Sequence, residues 1–197
     1  MIIGRRFAWA HLPKTGGDAT YQMLTAIPGL ATFADPPDSN DKHMPFFGRE
    51  AEVAGKLLAM NIRRLPAWAV SAAHHQAAHG VFPDYQPQPL QTPDEIVAST
   101  DPDDLLAWMT NRGATRIDRW LRVERLEQDV LALLGELGEL DGAARAVVTS
   151  VGAVNVGSYD RQRGAYFTPA QIAALYERNP IWAGIERSVY GDLQTGV

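Results

Sequence analysis

The sequence predicts an α/β domain whose mainly parallel sheet is flanked by helices, and three observations carry that expectation. Phe7-Ala8-Trp9-Ala10-His11-Leu12 has the length and apolar character of a buried strand, and after a glycine turn the segment DATYQMLTAI, from Asp18, reads as a helix. The same order returns where Leu57 to Ile62, within KLLAMNIRRLP, precedes the helical pattern PAWAVSAAHHQAAHG. Finally, 197 residues with 46% hydrophobic content suffice for one substantial core, so a single domain over 1–197 is expected.

The remaining elements follow in chain order. Pro28 to Pro45, containing ADPPDSNDKHMP, has the Pro, Asp, Ser and Asn content of a surface loop. VFPDYQPQPLQTPDE is a second proline-rich loop, and TPDEIVAST and DPDDLLAWMTNRG each place a cap residue, a proline and an acidic turn before apolar positions. From Arg116, RIDRWLRVERLEQDVLALLGELGEL keeps helical spacing through Ile117, Trp120, Leu121, Leu126, Val130, Leu133, Leu134 and Leu137, which periodicity alone would allow as one long helix. NVGSYDRQRG reads as a polar loop, and TPAQIAALYERN as a helix with Thr168 at the cap and Pro169 at its first position. There is no internal repeat or low-complexity tract, and strands alternating with helices favour the α/β class.

Composition narrows the partners. With 18 Lys+Arg against 23 Asp+Glu, a formal charge of −5 argues against general binding to nucleic acid or anionic membranes, while leaving room for a local basic pocket. The absence of cysteine removes disulfides, thiolate catalysis and cysteine-ligated metals, and suits a reducing compartment. MIIGRRFAWAHL lacks a small-residue cleavage pattern, and no apolar run approaches the roughly 18–20 residues of a membrane span, so a cytoplasmic protein is expected.

The chemistry concentrates in HLPKTGGDAT, His11 to Thr20. Unpaired N–H groups and the positive dipole end at a helix start stabilise phosphate or sulfate, glycines allow close approach of the main chain, and Lys14 adds a mobile charge. A nucleoside-triphosphate P-loop would need glycines at positions 8 and 13, which are Ala8 and Pro13, and the adjacent Gly16 and Gly17 do not form a G-x-G-x-x-G fingerprint. On chemistry alone, an ordinary strand–helix turn that happens to contain these residues stays open.

HLPKTGG resembles the PKTGG phosphosulfate-binding loop of sulfotransferases, particularly the branch containing carbohydrate sulfotransferases and many small bacterial relatives. NIRRLPAWAVSAAHH is similar to the family's second donor element, with Arg63 and Ser71 at the matching spacing of eight. LRVERLEQDVLALLGELG resembles the strand, Glu-x-Leu and helix that follow, implying a strand from about Ile117 to Val123. NVGSYDRQRGAYFTPAQIAALYERN is similar to the asparagine-and-arginine loop before a terminal helix, whereas Val81 to Ala114 has no counterpart.

The resemblance implies a P-loop-like nucleotide-binding sulfotransferase architecture and 3′-phosphoadenosine 5′-phosphosulfate as donor, with no metal. It implies that Lys14 meets the charge developing on the leaving phosphate. The N–H groups around Thr15, Gly16, Gly17, Asp18 and Ala19, with Thr20 beside them, would bind the 5′-phosphosulfate. Arg63, Ser71 and Arg163 would hold the 3′-phosphate, and His43 is similar to a histidine between the two donor elements and would be the base. His74 and His75 follow Ser71 on one helix, and His11 is expected to be buried and hydrogen-bonded beside the loop. His75 and His79 have an i, i+4 spacing but lack the glutamate of H-E-x-x-H, so no metal site is expected.

One position departs from the family: Asp18 stands where threonine or serine is usual, and Ala19 follows. A carboxylate there repels phosphosulfate and, as an N-cap, would compete for the same N–H groups, with Thr15 and Thr20 compensating in part. Three functions stay open at this point: a sulfotransferase, a catalytically silent relative that binds nucleotide or a protein partner, and a phosphotransferase. The charge favours a neutral sugar, lipid headgroup or small alcohol as acceptor, unless Arg112, Arg116 or Arg119 lines a groove. Trp68, Trp108, Trp120 and Trp182 are either sugar-stacking surfaces or core.

Overall fold

A computed structural model describes residues 1–80, 86–160 and 162–196. The strands and helices begin with β1 (Ile2–Gly4), β2 (Phe7–Ala10), α1 (Gly17–Thr25), β3 (Ala31–Ala34), α2 (Glu50–Val53), β4 (Leu57–Ile62) and α3 (Leu65–His79). They continue with α4 (Pro93–Ser99), α5 (Pro102–Met109), β5 (Arg119–Arg122), α6 (Leu126–Leu137), α7 (Gly142–Ser150), α8 (Pro169–Arg178) and α9 (Pro180–Tyr190). The chain divides into two compact units, one of Met1–Ile62 with Ala107–Val156 and one of Arg63–Leu106 with Gly157–Val197.

The first unit holds a five-stranded sheet in the order β3-β1-β2-β4-β5. β2 pairs parallel with β4 (Trp9 opposite Ala59), and β4 with β5 (Asn61 opposite Leu121). β1, however, is antiparallel to both β2 and β3, so the sheet is mixed rather than mainly parallel. The mixed pairing has a local cause. Arg5-Arg6 separates β1 from β2 and folds MIIGRRFAWA into a hairpin, and β3 lies inside the segment whose composition reads as loop. Four residues with half-exposed faces, ATFA, carry no periodic signal of their own; pairing with β1 makes them an edge strand.

β2 and the second half of β4 are buried throughout, as parallel central strands require. Phe7, Trp9, Met23, Leu24 and Leu121 pack with Val130, Leu133, Leu134 and Leu137, the i, i+3, i+4, i+7 stripe of α6. The long apolar pattern after Arg116 therefore splits. Residues 119–122 extend beside β4, and α6 begins only at Leu126, where the Asp129 carboxylate accepts from Arg122 N (2.8 Å), Nε (2.8 Å) and Nη2 (2.6 Å). Gly138, in the left-handed region at φ 72°, ends that helix.

The second unit is helical. Thr92 and Thr168 cap α4 and α8 in reciprocal capping boxes with Glu95 and Gln171, each followed by proline. The N-terminus of α9 is closed by Asp103, whose carboxylate accepts from Ile181 N and Trp182 N at 2.7 Å each. Glu186, fully buried, accepts from Leu65 N (2.9 Å), Tyr176 OH (2.7 Å) and Arg64 Nη1 (3.1 Å), fixing the start of α3 against α8 and α9. Trp68 and Trp182 pack ring to ring at 5.5 Å in this core. Where α3 presents Ala69, Ala72 and Ala73, a cleft of about 250 Å³ is left beside Trp68, with Gln76, Ser99 and Asp101 also lining it. Among the described residues no helix is long and apolar enough to cross a membrane.

Candidate functional site

The turn between β2 and α1 is built by two glycines with different tasks. Gly16 is the N-cap of α1 in the left-handed region (φ 74°), a conformation that costs any residue with a Cβ, and it has no side chain with which to cap the helix. At Gly17 the constraint is space: an added Cβ would lie 1.8 Å from Cδ2 and 1.9 Å from Nε2 of His11. The His11 ring is held in that place by stacking on Trp9 (5.4 Å) and contact with His43 (4.4 Å). Lys14 is also left-handed, at φ 63°, which is uncommon for a lysine and marks the loop as constrained by its surroundings.

Those constraints come largely from Asn61, a fully buried amide on β4. Its Oδ1 accepts from Trp9 Nε1 (2.8 Å), while Nδ2 donates to Thr15 O (2.8 Å) and Thr20 Oγ1 (2.7 Å). Thr15 Oγ1 in turn donates to Leu12 O at 2.6 Å, and Thr20 Oγ1 to Gly16 O at 3.3 Å. Both hydroxyls are thus used by the fold, and the part they take in the loop is to set its backbone. The lone asparagine in the apolar run LLAMNI was the available sequence signal for this bolt.

Asp18 is not the N-cap. It is the second residue of α1, and its carboxylate is bound through Oδ1 to Lys42 Nζ (3.2 Å) and through Oδ2 to Asn155 Nδ2 (2.7 Å). Burial pushes this carboxyl up, but the Asn155 and Lys42 hydrogen bonds outweigh it and hold the pKa below its ordinary value, so Asp18 is charged at neutral pH. Neither partner carries a local signal; both are brought to α1 by the fold alone.

His43 ends a 3-10 turn, Asn40–His43, and its Nδ1 lies 3.1 Å from His11 O. A carbonyl can only accept, so Nδ1 carries the proton and Nε2 of neutral His43 has a lone pair. Burial lowers the His43 pKa, with the hydrogen bond to His11 opposing it. His11, expected to be buried and hydrogen-bonded, is buried, but its Nδ1 has no partner among the described residues. Burial and then the neighbouring His43 and Lys42 push its pKa down to about 3, so the ring is neutral.

Lys14, residues 15–20 and His43 therefore belong to the first unit, where Gly17, His11 and His43 form a continuous row of contacts. Arg63 and Ser71 belong to the second. Arg63, half-buried, accepts through its carbonyl from Trp182 Nε1 at 3.0 Å, and Ser71 is half-buried on α3. The neighbouring Arg64 donates to Glu186 and to Asp192. Arg163 lies in a 3-10 turn, Arg163–Ala165, and its side chain falls outside the described ones. His74 stacks on Tyr159 (4.3 Å) with Nε2 3.0 Å from Tyr166 OH, while His75 is exposed.

Trp68 and Trp182 are core; Trp108 is exposed, its ring edge-on to Phe47 at 6.1 Å. Arg112 and Arg116 are exposed, and Arg119 pairs with Glu136. Among the described residues no group of three potential metal ligands occurs. No family model matches the chain, and neither the curated proteins nor the solved structures contain a match to it.

Proposed function

We propose that this chain transfers a sulfuryl group from 3′-phosphoadenosine 5′-phosphosulfate to a hydroxyl or amine of a small neutral acceptor, a carbohydrate being the favoured class. The observation that carries the reading is the turn after β2: a helix start without a side-chain cap, reached through left-handed Lys14 and Gly16, in a row with a histidine whose Nδ1 is already bonded. N–H groups of the first turn suit the 5′-phosphosulfate, with Lys14 adding charge. The acceptor oxygen or nitrogen attacks sulfur as the S–O bond to the 5′-phosphate breaks, and the acceptor proton passes to His43 Nε2. Negative charge then grows on the leaving phosphate, where Lys14 and the N–H groups around 15–19 stabilise it. Arg63, Ser71 and Arg163 are assigned to the 3′-phosphate by sequence resemblance alone.

One observation favours a second reading, a catalytically silent relative that binds nucleotide or a protein partner: the charged Asp18 carboxylate within the first turn of α1. Incubation with radiolabelled donor and a panel of neutral sugars and alcohols separates the two. Transfer that His43→Ala abolishes while donor binding persists supports the enzyme. Binding without transfer to any acceptor supports the silent relative, and competition by ATP would point instead to a phosphotransferase.

A further inference from the structure

Asp18 joins three segments far apart in the chain. Its carboxylate ties α1 to Lys42, 24 residues on, and to Asn155, 137 residues on. Lys42 immediately precedes His43, so whatever holds the Lys42 ammonium also restrains the segment that carries the candidate base. Asn155 adopts φ 53°, a left-handed conformation that asparagine tolerates better than most residues. An ammonium and an amide N–H therefore converge on one carboxylate at the first turn of the helix whose N–H groups form the candidate anion site. These are the donors that a phosphoryl or sulfuryl oxygen would itself select.

We propose that Asp18, Lys42 and Asn155 form a charge clasp at the donor loop, in which Lys42 is a second cation of the donor site and Asp18 its internal counter-anion. This inference rests on the donor-binding reading above. An incoming phosphosulfate competes with Asp18 for the Lys42 ammonium and the Asn155 amide, and the clasp sets how strongly the site holds its donor. The carboxylate that departs from the family pattern thereby acquires a role, to oppose weak anions at an otherwise strongly attractive helix start.

The test is calorimetric titration with adenosine 3′,5′-bisphosphate of the native chain, Asp18→Asn, and Asp18→Asn combined with Lys42→Met. Asparagine preserves the size of the side chain and removes its charge; unfolding midpoints establish that each variant is folded. The clasp predicts binding about tenfold tighter for Asp18→Asn, with that gain lost in the double variant. Binding by Asp18→Asn but not by the native chain supports the clasp more strongly still. If the native chain binds and Asp18→Asn binds no tighter, the clasp is wrong and the donor reading stands. A gain that survives loss of Lys42 shows that Asp18 acts by repulsion alone and removes Lys42 from the site. If neither the native chain nor folded Asp18→Asn binds, the donor reading fails and the clasp with it.

Discussion

Replacing Asn61 by alanine tests how the loop between β2 and α1 is held. The substitution strips the partner from the Trp9 indole N–H and from the Thr15 carbonyl, both within the buried interior, and leaves Thr20 Oγ1 only its bond to Gly16 O. Flipping the original amide could not mimic the loss, since it would set NH2 against the Trp9 donor. Each buried polar group left unpaired costs about 1–3 kcal/mol, and two or three such groups with the small void give a loss of about 4 kcal/mol. At about 2–4 °C per kcal/mol for a chain of this size, the unfolding midpoint falls by roughly 10 °C. Thermal and urea unfolding followed by tryptophan fluorescence read the effect, and Asn61→Asp, which keeps an acceptor for Trp9 but faces Thr15 O with a second oxygen, should lose a similar amount. A loss below about 1 kcal/mol in Asn61→Ala would show that water or loop rearrangement satisfies these groups and would refute the bolt.

The two loop glycines should separate by mechanism. Gly16→Ala, whose Cβ would meet Leu126 and Val123 no closer than 3.5 Å, incurs only the left-handed penalty of about 1–2 kcal/mol, whereas Gly17→Ala drives into the His11 ring and should cost about 3 kcal/mol or more by denaturant unfolding. The reverse order would remove His11 as the reason for the second glycine. His11 also predicts acid sensitivity. Its folded pKa is depressed to about 3 from 6.5, so the unfolded chain binds a proton that the native chain refuses, and stability present above about pH 6.5 declines as pH falls toward 3. The shift corresponds to on the order of 5 kcal/mol, and urea midpoints across that range should fall less steeply in His11→Gln; parallel slopes would contradict the assignment. In the second unit, Glu186→Ala leaves the Leu65 N–H, Tyr176 OH and Arg64 without their shared acceptor and should destabilise by about 3–5 kcal/mol in the same assay; a near-neutral result would show that Asp192 alone suffices for Arg64.

What the sequence disclosed, and what it withheld, follows the range of the interactions. Thr92 and Thr168 announce their helices because a cap, a proline and an N3 acceptor act within four residues. β2, α1, β4 and α3 are legible because buried strands and amphipathic or apolar helices carry their own periodicity. β1 and β3 are three and four residues long and exist as strands through pairing, β1 with β2 and β3 and β3 with β1, which no window on one segment can contain. The same holds at the loop: Lys14 and the two glycines form a local pattern, but His11 filling the space above Gly17 is a packing fact. Asp18 could be flagged as a departure, while its partners at 42 and 155 depend on the fold bringing distant loops to α1. Arg64 and Arg63 look alike in sequence, and the fold distinguishes them by burying Glu186 against one.

The proposed function requires that the turn from Lys14 to Thr20 bind the 5′-phosphosulfate of the donor. Titrating the intact protein with adenosine 3′,5′-bisphosphate, with Lys14→Ala, Arg63→Ala and ATP as comparisons, tests it most directly. Micromolar binding to the intact chain is expected, weakened by both substitutions and not competed away by ATP. No binding by folded intact protein and by Asp18→Asn alike, or equal binding by Lys14→Ala, would contradict it.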